Sequence, residues 1–300
     1  MLCAMARIAI IGGGSMGEAL LAGLLRAGRQ VKDLVVAEKN PQRAKFLAEK
    51  YSVLVTSTVE ATDNAHYVIV AVKPDDVERV IDDIAAAAAN AETDTAEQVF
   101  VSVAAGVTTA YYENKLPAGA PVVRAMPNAP VVVGGGVSAL AAGRFATAEH
   151  LKEVSALFDA VGGVIPVPES KLDAVTAVSG SGPAYFFLMV EALVDAGVAV
   201  GLSRSVATDL VVQTMAGSAA MLLERLDEAQ PSGDAAGQAG LSAGTGFDTT
   251  AAQLRATVTS PAGTTAAGLR ELERGGLRSA VANAVEAAKT RSEQLGITSE

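Results

Sequence analysis

Three features of this 300-residue sequence predict an α/β fold class. A β-branched run at residues 7–11 empties into the turn Gly12-Gly13-Gly14-Ser15-Met16-Gly17, and an amphipathic helical pattern follows at once. Further short apolar runs alternate with helical patterns up to about residue 167, as parallel βαβ units do. From Glu169 onward the strand-like runs stop and helical periodicity takes over. Together these features describe a Rossmann-type dinucleotide-binding domain over residues 5–167, followed by an all-α domain over residues 168–300.

Composition bounds the function. Half of the residues are hydrophobic, yet only 4% are aromatic and tryptophan is absent, so the core must be built from Ala, Val, Leu and Ile. Small side chains favour close helix packing. A formal charge of −10 argues against nucleic acid as a partner, because phosphate backbones need a basic surface. The single cysteine, Cys3, forms no internal disulfide, which fits a cytoplasmic protein. No uninterrupted apolar run reaches the roughly 18 to 20 residues of a membrane span; the stretch 188–202 is broken by Glu191 and Asp195. No membrane is therefore expected as a partner.

The elements follow in order. Gly12, Gly14 and Gly17 fit G-x-G-x-x-G, the turn that lays a dinucleotide pyrophosphate on a helix N-terminus. The helix runs through Leu20, Leu21, Leu24 and Leu25 to Gly28. Residues 34–37 read as the second strand, ending in Glu38, and Pro41 opens the next helix. An acid about 20 residues beyond the glycine turn commonly takes the adenosine ribose hydroxyl and disfavours a 2′-phosphate. Lys39 and Arg43 stand beside it, and either is able to pair with that phosphate. NADPH and NADH both stay open as cofactor.

Residues 52–55 read as a short third strand. Residues 67–72 form a continuous apolar run of the kind buried on both faces of a parallel sheet. Its end places Val72, Lys73 and Pro74 at the cofactor cleft, because ligands bind beyond the carboxyl ends of parallel strands. A helix follows from Asp75 and fades into the alanines of 85–91. Strand 99–103 leads into Ala104, Ala105 and Gly106, a turn of small residues that lets backbone approach a ligand. Strand 122–124 leads into Met126, Pro127 and Asn128, a stiff loop whose amide suits a nicotinamide carboxamide. Residues 131–133 and 137–140, split by three glycines, are expected as extra strands or one bulged strand. A helix over 147–161 and a strand over 164–167 close the first domain.

In the second domain, a small-residue stretch at 178–185 opens a helix at Pro183. Ser203 caps the next, over 206–226. Residues 227–247 read as a connection rich in Gly, Ala, Ser and Asp. Thr249 caps a helix over 251–258, and two more follow over 264–274 and 277–295, the last stopped by Gly296.

A nicotinamide enzyme receives its hydride from the cofactor and, for reduction, needs a proton source. His66 and His150 fall in structural positions. No cluster of metal-ligand spacing stands out, so no metal is expected. The helix after Pro183 carries no lysine up to Leu202, where a β-hydroxyacid dehydrogenase would be expected to have its catalytic one. There remains Ser260-Pro261-Ala262-Gly263-Thr264-Thr265, where one helix ends and another begins with two hydroxyls in its first turn. The amides of Gly263, Thr264 and Thr265, with the helix dipole, make an anion site suited to a carboxylate.

Residues 258–268, together with 178–185, 71–74 and 126–128, resemble the pyrroline-5-carboxylate reductase family, and the resemblance covers nearly the whole chain. It implies a Rossmann domain, a helical dimerisation domain, and homodimers with interlocked helices that often assemble into a decamer. It implies hydride transfer from NAD(P)H to C5 of the cyclic imine 1-pyrroline-5-carboxylate, the last step of proline biosynthesis. Carried onto this sequence, residues 12–17, 72–74, 104–106 and 126–128 contact the cofactor. Ser260, Gly263, Thr264 and Thr265 bind the substrate carboxylate, and the Thr265 hydroxyl also lies near the ring nitrogen. Ala262 stands where glycine is usual in the family's turn, and the 227–247 connection is longer than typical, with Asp248 as a wall residue. Two rivals are a β-hydroxyacid dehydrogenase, which shares the Gly-x-Gly-x-Met-Gly pattern, and a scaffold that senses NAD(P) without turnover.

Overall fold

The computed structural model describes residues 6–90, 98–228 and 250–296. Cys3, most of the 227–247 connection, Asp248 and the Thr249 cap lie outside the described residues. Compactness divides the chain into two units, Met1–Pro183 with Ala287–Glu300, and Ala184–Glu286.

The first unit holds one eight-stranded sheet: β1 (Ile8–Ile11), β2 (Leu34–Ala37), β3 (Leu54–Thr56), β4 (Tyr67–Val70), β5 (Val99–Ser102), β6 (Val122–Pro127), β7 (Gly136–Ala142) and β8 (Gly162–Pro166). Their order is β3-β2-β1-β4-β5-β6-β7-β8. The first six run parallel, whereas β7 is antiparallel to β6 and β8 parallel to β7. Strand order reverses between β1 and β4, so the crevice beyond their carboxyl ends is the ligand-binding position of such sheets. Helices α1 (Ser15–Arg26), α2 (Pro41–Tyr51), α3 (Thr58–Thr62), α4 (Pro74–Asn90), α5 (Thr109–Lys115), α6 (Ala148–Phe158) and α7 (Leu172–Val175) belong to the same unit.

The period of two along β1 sorts its side chains onto two cores. Ile8 and Ile10 pack with Leu20, Leu21 and Leu24 of α1 and Phe158 of α6. Ala9 and Ile11 pack with Val77 and Ile81 of α4 and Tyr112 of α5. A strand covered on both faces has no polar face, which is why residues 8–11, 34–37 and 67–70 read as unbroken apolar runs.

Several boundaries differ from the sequence expectation. Strand β3 begins at Leu54, two residues late, because Ser52 closes α2 in the left-handed conformation at φ +56°. Residues 131–133 are not a strand: Ala129–Val133 is a 3₁₀ turn whose Val131 is fully buried. A Cβ on Gly136 would lie 2.3 Å from Val131 Cγ1, so β7 can start only with glycine there. Residues 159–161 leave α6 as a 3₁₀ turn, and β8 starts at Gly162. Between α7 and the next helix, Thr176–Gly180 winds as a π-helical turn that periodicity did not announce.

On β7, Ser138 is fully buried, and among the described residues its hydroxyl has no hydrogen-bond partner. A desolvated, unpaired hydroxyl is a cost that alanine removes without leaving a large hole. Ser138→Ala is expected to raise the unfolding free energy by about 1 to 2 kcal/mol in urea denaturation. A decrease would show that the hydroxyl is satisfied.

The regular structure among the described residues of the second unit is all helical: most of α8 (Gly182–Ala199), α9 (Arg204–Glu228), α10 (Thr250–Thr257), α11 (Thr264–Arg274) and the first half of α12 (Leu277–Leu295). Small residues bring α8 against α9, where a Cβ on Gly197 would stand 3.1 Å from that of the buried Ala207. Much of the apolar surface is uncovered in the single chain, including Phe186, Phe187, Leu188, Leu210 and Leu223. No uninterrupted apolar run reaches a membrane span, but two helical segments are long and apolar enough on average. Segments 169–199 and 204–226 have mean hydropathy 1.4 and sufficient length, because such an average tolerates the charges at Glu191 and Asp195. Length and composition alone are weak evidence for crossing a membrane.

Candidate active site

The glycine turn sits at the switch point, and each glycine has its own physical reason. Gly12 takes φ +106°, and a Cβ there would lie 2.6 Å from the Ala71 carbonyl oxygen, so the β1 turn rests directly on the backbone after β4. The Gly12 amide donates to Ala37 O at 2.8 Å, and the Ala71 amide to Ile11 O at 2.7 Å. A Cβ on Gly17 would fall 1.9 Å from Gly12 O, which ties the first turn of α1 to the strand end. Gly14 differs, since nothing lies within 4 Å of the Cβ it lacks. It is the N-cap of α1 without a side-chain cap bond, and it faces the open space where a phosphate would approach.

Beside the turn opens a cleft of about 500 Å³ lined by Gly12, Gly14, Glu38, Lys39, Val72 and Lys73, among others. The structure thus brings the predicted residues at the ends of β1, β2 and β4 together, whereas Pro74, 104–106 and 126–128 are not among the walls of this cleft. Glu38 Oε2 accepts from the Gly13 amide at 2.9 Å, and its Oε1 from the Asn40 amide at 2.7 Å. A carboxylate has about four lone-pair sites, so a ribose hydroxyl still finds an acceptor. Of the two candidate cations, Lys39 lines the cleft and pairs with Asp76 at 2.5 Å. Arg43 lies on the α1 side of the turn, in a second cleft shared with Gly14, Ser15 and Glu38, where its Nε donates to Gly13 O at 2.7 Å and its Nη2 to Glu18.

Pro74 is the first residue of α4. The loops after β5 and β6 are held by the protein itself. Ala104 and Gly106 are buried and Ala105 is exposed. Gly106, at φ +74°, lies under the end of α12, where a Cβ would stand 2.9 Å from Leu295 O. Asn128 spans two neighbours, donating from Nδ2 to Ser179 O at 3.3 Å and accepting from the Val137 amide at 2.9 Å. Its amide keeps one further donor. Met126 and Pro127, expected in a loop, are instead the last residues of β6, and Met126 Cε lies 3.2 Å from where a Gly180 Cβ would be. His66 stacks edge-on against Tyr67 before β4, and His150 completes the capping box of α6.

In the second unit, the Gly263 amide donates to Ser260 O at 3.0 Å and closes the turn that enters α11. Pro261 at its second position and Ala262 at φ +58° at its third give the pattern of a type II turn. That conformation suits glycine, which accounts for the residue usual there in the resembled family. Gly263 is the N-cap of α11 and has no side chain to cap it. Ser260, Thr264 and Thr265 are exposed, and among the described residues their hydroxyls have no hydrogen-bond partner. Three uncommitted hydroxyls and a helix N-terminus within six residues can hold a small carboxylate. Among the described residues there is no His, Cys, Asp and Glu cluster able to hold a metal ion.

Fold and glycine loop define a dinucleotide-binding oxidoreductase with a helical C-terminal part. Residues 169–295 match the family described as pyrroline-5-carboxylate reductase dimerisation, and residues 7–106 match that described as NADP oxidoreductase, coenzyme F420-dependent. The chain belongs to the pyrroline-5-carboxylate reductase family. It is 71% identical over 300 residues, the full length of both chains, to a pyrroline-5-carboxylate reductase of Mycobacterium tuberculosis. Among solved structures it is similar to a pyrroline-5-carboxylate reductase from Coxiella burnetii, at TM-score 0.84 and 33% identity over 98% of this chain and 100% of that one. It is also similar to a Plasmodium falciparum pyrroline carboxylate reductase with NADP bound, at TM-score 0.77 and 28% identity over 97% of this chain and 98% of that one. The uncovered apolar helices α8 and α9 lie within the residues matched to the dimerisation family. A subunit partner accounts for such a surface without a membrane.

Proposed function

We propose that this protein reduces 1-pyrroline-5-carboxylate to L-proline with NADPH or NADH, the last step of proline biosynthesis. The observation that carries the reading is the Ser260–Thr265 turn, which offers hydroxyls and amides to a carboxylate and no side-chain acid to a carbonyl. A cyclic imine needs no such acid, because its nitrogen takes up a proton far more readily than a carbonyl oxygen does. Bound reduced nicotinamide supplies the hydride that adds to C5, while the carbon–nitrogen double bond becomes single and the nitrogen keeps its proton.

In this reading the amides of Gly263, Thr264 and Thr265 and the Ser260 hydroxyl hold the substrate carboxylate. The Thr265 hydroxyl hydrogen-bonds the ring nitrogen and orients the C5 face. On the nucleotide side, Gly12, Gly14, Ser15, Met16 and Gly17 take the pyrophosphate, and Glu38 the adenosine ribose. Val72, Lys73, Pro74, residues 104–106 and residues 126–128 line the remainder. The division at 167/168 separates the two roles, and an interlocked homodimer, five of which would build a decamer, brings the substrate turn into reach of a nicotinamide. A cytoplasmic location completes the reading.

The test is to follow the loss of nicotinamide absorbance with pyrroline-5-carboxylate and each reduced cofactor, with hydroxyisobutyrate oxidation in parallel. Turnover of the imine alone is the expected result. Oxidation of the hydroxyacid would favour a β-hydroxyacid dehydrogenase, and cofactor binding without turnover would favour a sensing scaffold.

A further inference from the structure

The backbone of Gly13 is held on both sides by side chains from outside the glycine turn. Its N–H donates to Glu38 Oε2 at 2.9 Å, and its carbonyl accepts from Arg43 Nε at 2.7 Å. Arg43 is itself fixed. Its Nη2 donates to Glu18 in the first turn of α1, and its guanidinium carbon lies 5.0 Å from the centre of the Phe46 ring. Glu18 also accepts from Lys50 Nζ at 2.9 Å and Tyr51 Oη at 2.8 Å. Burial pushes the Glu18 carboxyl up, but the hydrogen bonds from Lys50, Tyr51 and Arg43 outweigh it and hold the group down at about 2. The carboxylate therefore stays charged at any pH where the protein works. One ionic cluster thus joins the start of α1, the length of α2 and the turn between β1 and α1.

We infer that Arg43 is a positioning residue that sets the Gly13 peptide, and through it the amides of the pyrophosphate loop, instead of a ligand for a 2′-phosphate. The inference rests on reading Gly12–Gly17 as that loop. The side of the turn on which Arg43 lies supports it. The cleft that joins Glu38 to the end of β4 is lined by the cations Lys39, Lys73 and Arg79, whereas Arg43 lines a second cleft, on the α1 side of the turn, with Gly14, Ser15, Glu18 and Glu38. Two of the guanidinium's donors are already committed to Gly13 O and Glu18. A loop rich in glycine has much backbone entropy to lose on binding phosphate, and two charge-assisted bonds to the successive peptide groups on either side of Gly13 remove part of that loss beforehand. The pyrophosphate is common to both nicotinamide cofactors. The clamp must therefore act on NADH and NADPH alike.

Arg43→Met keeps an unbranched stem against Phe46 and removes the charge and both bonds. Titration of nicotinamide fluorescence is expected to show Kd for NADH and for NADPH rising by the same factor, about 3- to 10-fold. Their ratio stays unchanged within about twofold, and kcat at saturating cofactor stays near that of the unsubstituted protein, within the usual scatter of about twofold. Arg43→Lys, which can still reach one of the two acceptors, is expected to recover part of the loss. Circular dichroism melts check that both variants are folded. A loss confined to NADPH would make Arg43 a 2′-phosphate ligand and overturn the inference, as would unchanged affinity for both cofactors. If the unsubstituted protein bound neither cofactor, the reading of the loop itself would fall, a result distinguishable from either of these.

Discussion

Gly14→Ala is expected to fold normally and to lose its cofactor. The backbone at Gly14, φ −65° and ψ −171°, is open to any residue, and no protein atom lies within 4 Å of the added methyl group. Stability should therefore stay within about 0.5 kcal/mol of the unsubstituted protein, as for other unstrained surface changes. The methyl group instead occupies the space in front of the uncapped α1 N-terminus, which a pyrophosphate must enter to meet the Ser15 and Met16 amides. Kd for NADH and NADPH should rise by about 100-fold or more, the equivalent of nearly 3 kcal/mol. Gly12→Ala is the instructive contrast. There the methyl group meets Ala71 O at 2.6 Å in a backbone held at φ +106°, so fold and binding fall together. Calorimetric melts beside cofactor titrations separate the two cases. An unaltered Kd in Gly14→Ala would show that phosphate does not lie on this helix.

Why the glycine turn was legible and the Gly13 clamp was not is a matter of range. The turn, β1 and α1 are consecutive, and their signals are local: a β-branched run, glycines at G-x-G-x-x-G spacing and apolar residues at helical spacing. The same is true of α11 and α12, whose bounds of 264–274 and 277–295 emerge where capping and glycine stops place them. Arg43 reaches Gly13 across 30 residues and Glu18 across 25, and periodicity carries no information about such pairs. Nor did it show that Asn128 is shared with Ser179, 51 residues away. At residues 131–133, three valines predict a strand by propensity. Burial of Val131 beneath α1 and the glycine at 136 decide otherwise. The chemistry at Ser260–Thr265 was legible as a capped turn offering amides, but a turn of that kind does not name its ligand, and it took the likeness of whole segments to name an imine.

The substrate side makes the second strong prediction, because Thr265 is the one hydroxyl assigned to the reacting nitrogen. Thr265 is exposed, and its hydroxyl is uncommitted among the described residues, so alanine there removes no internal bond and melting should be unaffected. If the hydroxyl contacts the ring nitrogen as hydride adds, Thr265→Ala should lower kcat/KM for the imine by the equivalent of about 1 to 3 kcal/mol. How the loss divides is informative. A hydroxyl that only helped to hold the carboxylate would raise KM and leave kcat alone, whereas one that orients the C5 face or bonds the nitrogen in the transition state lowers kcat as well. Thr265→Ser keeps the hydroxyl and should recover most of the activity, and cofactor Kd should be the same in all three proteins. Full activity in Thr265→Ala would remove the residue from the site and leave Ser260 and the α11 amides to bind the substrate without it.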